Sequence, residues 1–181
     1  MKPRTALSNA ETALLGLLCE GPMHPWQIQK VVQHRDMRSW TELSQATIYS
    51  QLRSLERAEL VACQTQVGQG RLRKVYAVTS AGRAALKAKV RELLTEPEPK
   101  KWRVDLGTYN LDALPRREAL ACLRAYRAKL EEGIACYRKL IEYMKGCDCP
   151  ANRCAVAQRP KYLLEGEIRW VEDFIARMQR G

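Results

Sequence analysis

Apolar residues fall at helical spacing in the first part of the chain. Ser8 or Asn9 can cap a helix whose apolar residues are Leu14, Leu15, Leu17 and Leu18, and Gly21-Pro22 ends it. Pro25 suits the first turn of a second helix with Trp26, Ile28, Val31 and Val32 on its apolar side. Ser44 caps a third helix, where Ile48, Leu52 and Leu55 stand at i, i+4 and i+7 and face a core, flanked by Tyr49. The period then shortens. Leu60 to Thr65 and Val75 to Val78 read as paired strands, with residues 66–74, two glycines and three cations among them, as the connection. Thr79 and Ser80 open a further helix over Ala81 to Leu94.

The second half carries two long stripes. Leu123, Tyr126, Leu130, Ile134, Tyr137, Ile141 and Met144 are separated by 3, 4, 4, 3, 4 and 3 residues, and Leu164, Ile168, Val171, Ile175 and Met178 by 4, 3, 4 and 3. Pro115 opens the first of these helices and Gly146 lies past its end. Trp102-Arg103-Val104-Asp105-Leu106 alternates like a strand. The break Glu96-Pro97-Glu98-Pro99 divides the chain into regions 1–95 and 96–181.

Charge sharpens this picture. The 181 residues hold 31 basic and 20 acidic side chains, a net charge of +11, which favours a polyanionic partner. Region 1–95 holds 14 basic and 7 acidic residues against 17 and 13 in the rest, so the excess of base over acid is denser in the first region. With 46 % apolar and 28 % charged residues the chain has the composition of a folded globular protein. No apolar run approaches the roughly 18 residues of a membrane helix. The basic start at Met1 to Arg4 leads into an apolar stretch, Thr12 to Cys19, that ends at Glu20 without a small-residue cleavage site, so a cytoplasmic protein is expected.

Three helices followed by a basic two-stranded ribbon is the order of a winged helix-turn-helix, and the fold expected is mainly α with a small β-ribbon, followed by a helical dimerisation domain. The third helix enters a major groove in such domains and the ribbon, or wing, meets the backbone. Ser44, Gln45 and Thr47 stand at its start, and Ser50, Arg53 and Arg57 lie opposite the apolar face. These are polar groups able to reach base edges and phosphates. Arg71, Arg73 and Lys74 stand where a wing meets the DNA backbone. Each piece alone has a plainer reading, a solvated helix face or a charged edge strand; their order carries the argument.

Leu15-Gly16-Leu17-Leu18, Gly21-Pro22-Met23-His24, Ala46-Thr47-Ile48-Tyr49 with Leu52 and Leu55-Glu56, and Arg73 through Gly82 together resemble the PadR family of transcriptional regulators over residues 7–95. Residues 102–180 resemble, by helix layout, the C-terminal domain of its virulence-activator-type subgroup. The resemblance implies a DNA reader with a helical dimerisation domain; many members repress and are released by small aromatic compounds, while others activate. It places Thr47, Tyr49 and Ser50 on the recognition helix and Arg73-Lys74 on the wing. The chain departs from the family at His24-Pro25-Trp26, where His-Gly-Tyr is usual, and at Ser50, where proline is common.

The two stripes offer more apolar surface than one helix pair hides, which points to a homodimer; the competing reading closes them on each other within one chain. A two-fold dimer sets its recognition helices about 34 Å apart and calls for a near-palindromic site on double-stranded DNA. Trp26, Trp40 and Trp102 could line a pocket for a small aromatic effector between the two domains, or simply pack. Cys147, Cys149 and Cys154 could bind a soft metal or form a reversible disulfide, although their spacing is not that of a standard zinc site; incidental thiols in a turn are the plainer reading. With two histidines, no glycine-rich phosphate loop and no paired-carboxylate motif, no enzyme activity and no cofactor are expected. The leading expectation is a ligand-responsive repressor. The alternatives are a thiol- or metal-responsive regulator and a helical protein–protein adaptor.

Overall fold

The structure, a computed structural model, describes residues 6–68, 71–147 and 149–180, without the side chains of 66–68 and 71–72. The chain divides into two units, Met1–Pro99 and Lys100–Gly181.

In the first unit, α1 (Asn9–Leu18) begins at Ser8, whose Oγ accepts from the Glu11 N–H at 3.2 Å while the Glu11 carboxylate accepts from the Ser8 N–H at 3.0 Å. This capping box satisfies two amides that no helical carbonyl can reach, and it explains why Glu11 is tolerated at 3 % exposure. Helix α2 (Pro25–His34) is capped by an imidazole: His24 Nδ1 accepts from the Trp26 N–H at 3.0 Å, and Gln27 Oε1 accepts from the His24 N–H at 2.8 Å. A short 3₁₀ turn at Met37–Ser39 leads to α3 (Gln45–Arg57). Leu14, Leu15, Leu18, Ile28, Val32, Leu43, Ile48, Leu52 and Leu55 form the core between these helices. Each such side chain contributes about 1.5–3 kcal/mol by leaving water.

Helix α3 ends with Glu59 in the left-handed region at φ +58°. The Leu60 N–H then reaches back to the Leu55 carbonyl at 2.9 Å and the Glu59 N–H to that of Glu56 at 3.0 Å, the double closure that normally has glycine at this point. The chain leaves into β1 (Val61–Gly68), antiparallel to β2 (Arg71–Val78), with Val61 opposite Val78, Cys63 opposite Tyr76 and Thr65 opposite Lys74. Both strands run beyond their predicted limits, so Arg71, Arg73 and Lys74 lie on a strand and not in a loop. A two-stranded ribbon can be wet on both faces, so loss of apolar residues does not mark where its ladder ends. Met23 pairs with Tyr76 on the other side of β2 through two 3.0 Å backbone bonds, which fixes the ribbon to the start of α2. Helix α4 (Ser80–Thr95) follows, capped by Thr79.

The second unit holds α5 (Arg103–Tyr109), α6 (Arg116–Gly146) and α7 (Ala151–Arg180). The strand-like segment Trp102–Leu106 is helical. Val104 and Thr108 are its half-buried residues, four apart, and Asn110 Nδ2 donates to the Leu106 carbonyl at 2.8 Å at the end of the helix. Gly146 is the last residue of α6 and not the residue after it. Pro160 sits inside α7, where it leaves the Val156 carbonyl without its helical donor.

Helices α6 and α7 pack antiparallel. Leu123, Leu130 and Val171 are buried between them, with Tyr126, Leu164, Ile168, Ile175 and Met178 half-buried around these. Gly133 lets Leu164 come close: a β-carbon at Gly133 would stand 3.1 Å from Leu164 Cδ1. The two stripes therefore close on each other within the chain over much of their length, and the apolar surface left for a partner is smaller than the stripes alone suggest. Among the described residues, no helix is long and apolar enough to cross a membrane.

Candidate nucleic-acid interface

The outer face of α3 carries Gln45, Tyr49, Ser50, Arg53 and Arg57, all exposed. Ile48, Leu52 and Leu55 anchor the opposite face in the core, so the polar face is held rigidly toward solvent. Ser44 and Thr47 have another occupation. Ser44 Oγ accepts from the Thr47 N–H at 3.1 Å; Thr47 Oγ1 accepts from the Ser44 N–H at 2.6 Å and sits 3.0 Å from the Glu42 carbonyl, to which it donates. Their hydroxyls fix the start of α3, which sets where Gln45 and Tyr49 point. The amides of Gln45 and Ala46, in the first turn, have no helical acceptor and favour an anion in front of them. Ser50 Oγ donates to the Thr47 carbonyl at 3.1 Å and keeps its acceptor lone pairs.

A concavity of about 320 Å³ opens beside this face, lined by His24, Pro25, Tyr49, Arg53, Lys74 and Tyr76. It joins the start of α2, the middle of α3 and the base of the ribbon. Tyr76 is almost buried at 5 % exposure. Burial pushes its phenol up to about 12, with the Cys63 thiol and the Glu56 carboxylate adding to the effect and Arg53 opposing it. At neutral pH it presents a neutral hydroxyl.

Strand alternation separates the wing cations. Lys74 shares a face with Tyr76 and joins the concavity, whereas Arg73 belongs to the other face of β2. Arg73 is exposed; the Arg71 side chain lies outside the described residues. His24, Pro25 and Tyr76 are members of the concavity that the sequence pattern does not reveal as such. The residue before a helix-opening proline is a visible signal for His24. Nothing local signals Tyr76, whose place depends on pairing with Met23.

Trp26 is exposed with the Lys30 ammonium 5.2 Å from its ring centre, Trp40 is exposed, and Trp102, in the second unit, is exposed with Lys100 at 5.7 Å. A second concavity in the first unit is lined mainly by Leu7, Ala58, Leu60, Ala85 and Ala88; neither Trp26 nor Trp40 lines it or the first one. Cys147 is exposed, and Cys149 and Cys154 are half-buried. Among the described residues no three His, Cys, Asp or Glu side chains are grouped closely enough to hold a metal ion.

Three helices, a projecting polar helix face and a two-stranded ribbon anchored beside it define a winged helix-turn-helix domain. Residues 14–88 of this domain match the model of the transcriptional regulator PadR-like family. No curated protein matches the chain in sequence. Among solved structures the chain is similar to Bacillus subtilis PadR in complex with operator DNA, with a TM-score of 0.76 and 19 % identity over 93 % of this chain and 98 % of that one. The same protein in complex with p-coumaric acid gives 0.78 and 18 % over 96 % and 99 %. The Vibrio cholerae virulence activator AphA gives 0.65 and 16 % over 94 % and 98 %. At these identities the likeness establishes the fold.

Proposed function

We propose that this PadR-type regulator is a homodimer that reads a near-palindromic site on double-stranded DNA, represses transcription and is released by a small aromatic effector. The observation that carries the reading is the convergence of Tyr49 and Arg53 from α3, Lys74 from the ribbon and His24 from α2 on one basic concavity. A 13-residue helix is about 20 Å long and fits a major groove about 12 Å wide. In this reading Gln45, Tyr49, Ser50 and Arg53 meet base edges and neighbouring phosphates. Ser44 and Thr47 orient them, and Arg71, Arg73 and Lys74 hold the backbone. The protein acts by binding and not by catalysis, in the cytoplasm. The operator complex and the p-coumaric acid complex of Bacillus subtilis PadR support the DNA and aromatic-effector parts.

The test is selection of binding sites from a random duplex library, followed by gel shift at moderate salt and light scattering of the complex. Enriched inverted repeats bound by two chains are expected. Absence of any enriched sequence would favour the helical adaptor instead. Release of the bound duplex by phenolic acids tests the effector, and reporter expression from the selected site tests repression against activation.

A further inference from the structure

The start of α7 sets the Cys154 thiol against the backbone of Cys149. The Pro150 carbonyl accepts from the Arg153 N–H at 2.9 Å and from the Cys154 N–H at 3.1 Å, the bonds that open the first turn of α7. Cys154 Sγ donates to the Cys149 carbonyl oxygen at 3.4 Å, and burial together with the neighbouring Cys154 thiol raises the Cys149 thiol above its ordinary value. Both are half-buried. Cys147, the third thiol of the cluster, is exposed, raises the Tyr143 phenol and acts on the Cys149 thiol less than Cys154 does. The structure therefore distinguishes a pair within a trio that sequence spacing leaves equivalent.

We propose that Cys149 and Cys154 are a modification site that closes as a reversible intrachain disulfide under a small peroxide oxidant, with Cys147 taking no part. In the first step one thiolate attacks a peroxide oxygen. The S–O bond forms, the O–O bond breaks, and the departing hydroxide is protonated to water. In the second step the other sulfur displaces the hydroxyl group, which leaves as a second water as the S–S bond forms. The two sulfurs lose two electrons and peroxide gains them. Closing so short a loop constrains the unfolded chain less than closing a long one would. Its effect is local: it ties the first turn of α7 to the segment before Pro150, and thiol exchange with a reductant reverses it. The site is independent of the DNA-binding reading.

The experiment uses the reduced full-length protein, treated with one equivalent of hydrogen peroxide, blocked by alkylation and digested with trypsin. Cleavage after Arg153 puts Cys149 and Cys154 on different peptides, so their linkage appears as a joined pair, and fragmentation of that pair in the wild type distinguishes Cys149 from Cys147. The joined pair is expected in the wild type and in Cys147→Ser, absent from Cys149→Ser and Cys154→Ser, and lost on treatment with dithiothreitol. Circular dichroism of each variant checks its helices, and the wild-type fragmentation decides the assignment if a variant misfolds. Linkage through Cys147, oxidation to sulfinic acid without a joined pair, or equimolar zinc retained by the purified protein would each overturn the proposal.

Discussion

Gly82 rests against the carbonyl oxygen of Leu60: a β-carbon at position 82 would overlap that oxygen. The same carbonyl accepts from the Thr79 N–H at 3.1 Å, while Thr79 Oγ1 accepts from the Gly82 N–H at 3.0 Å. The end of α3, the start of β1 and the first turn of α4 thus meet at one point, and backbone cannot move aside as a flexible side chain would. Gly82→Ala should destabilise the first unit by about 3 kcal/mol, at the upper end of overpacking costs. Gly16, in the middle of α1, has nothing within 4 Å of the added carbon. There the same substitution should stabilise by about 0.5–1 kcal/mol, because alanine gives up less backbone freedom on folding. Denaturant unfolding of the two variants should therefore move in opposite directions.

The cap of α3 separates residues that read DNA from residues that aim the reader. Thr47→Ala removes the hydroxyl that accepts from the Ser44 N–H and reaches the Glu42 carbonyl. A loss of about 1 kcal/mol in unfolding free energy is expected, with weaker binding and an unchanged order of preferred sites. Gln45→Ala leaves the cap intact and should instead alter the preference at one base position, by about 1–3 kcal/mol. Site selection repeated with each variant measures the difference, and a changed consensus in Thr47→Ala would return that residue to the reading face.

What is legible in the sequence is local. Ser44, Ile48, Leu52 and Leu55 declare α3 because a cap and a helical period lie within one segment. Trp102–Leu106 misleads because five alternating residues fit a strand, while the half-buried pair that marks its helix, Val104 and Thr108, spans beyond them. The ribbon reads shorter than it is because exposed strands carry no apolar signature. The concavity is invisible because Met23 and Tyr76 meet across more than fifty residues of chain, and pairing at that range leaves no trace in either segment. The stripes of α6 and α7 are plain, but their partner is not, since a helical period fixes which face is apolar and says nothing about what covers it.

Alkaline pH should loosen both units through two phenols. In the helix pair the Tyr126 hydroxyl donates to the Glu167 carboxylate. Burial, then this bond and the carboxylate charge, push Tyr126 up to about 12 from its ordinary 10.0. Tyr76 is raised to about 12 as well, burial being the largest cause. A folded-state pKa above the unfolded value means that the neutral phenol stabilises the fold. That contribution is complete below pH 10 and is lost as pH climbs toward 12. Unfolding free energy followed across this window should fall, in step with tyrosinate absorbance. Tyr126→Phe keeps the ring buried and has no proton to lose, so its decline should be shallower. An identical decline in Tyr126→Phe and in the double variant with Tyr76→Phe would show that other groups control it.

The two faces of β2 make the wing separable by salt. Lys74 lies in the concavity with Tyr49 and Arg53, and Arg73 points from the opposite side of the strand. A cation that neutralises a phosphate releases condensed counterions, so removing one such cation should lower the slope of log affinity against log salt by about 0.9. Lys74→Ala should weaken binding to every sequence and reduce the slope by that amount. Arg73→Ala should do the same only if the DNA backbone also reaches the far face of the ribbon. Equal slope changes in the two single variants that add in the double variant would mean that the ribbon straddles the backbone with cations on both sides. A reduced slope in Lys74→Ala alone would mean that the duplex meets only the α3 side. Unchanged slopes in both would remove the ribbon from the interface and leave α3 to bind without it.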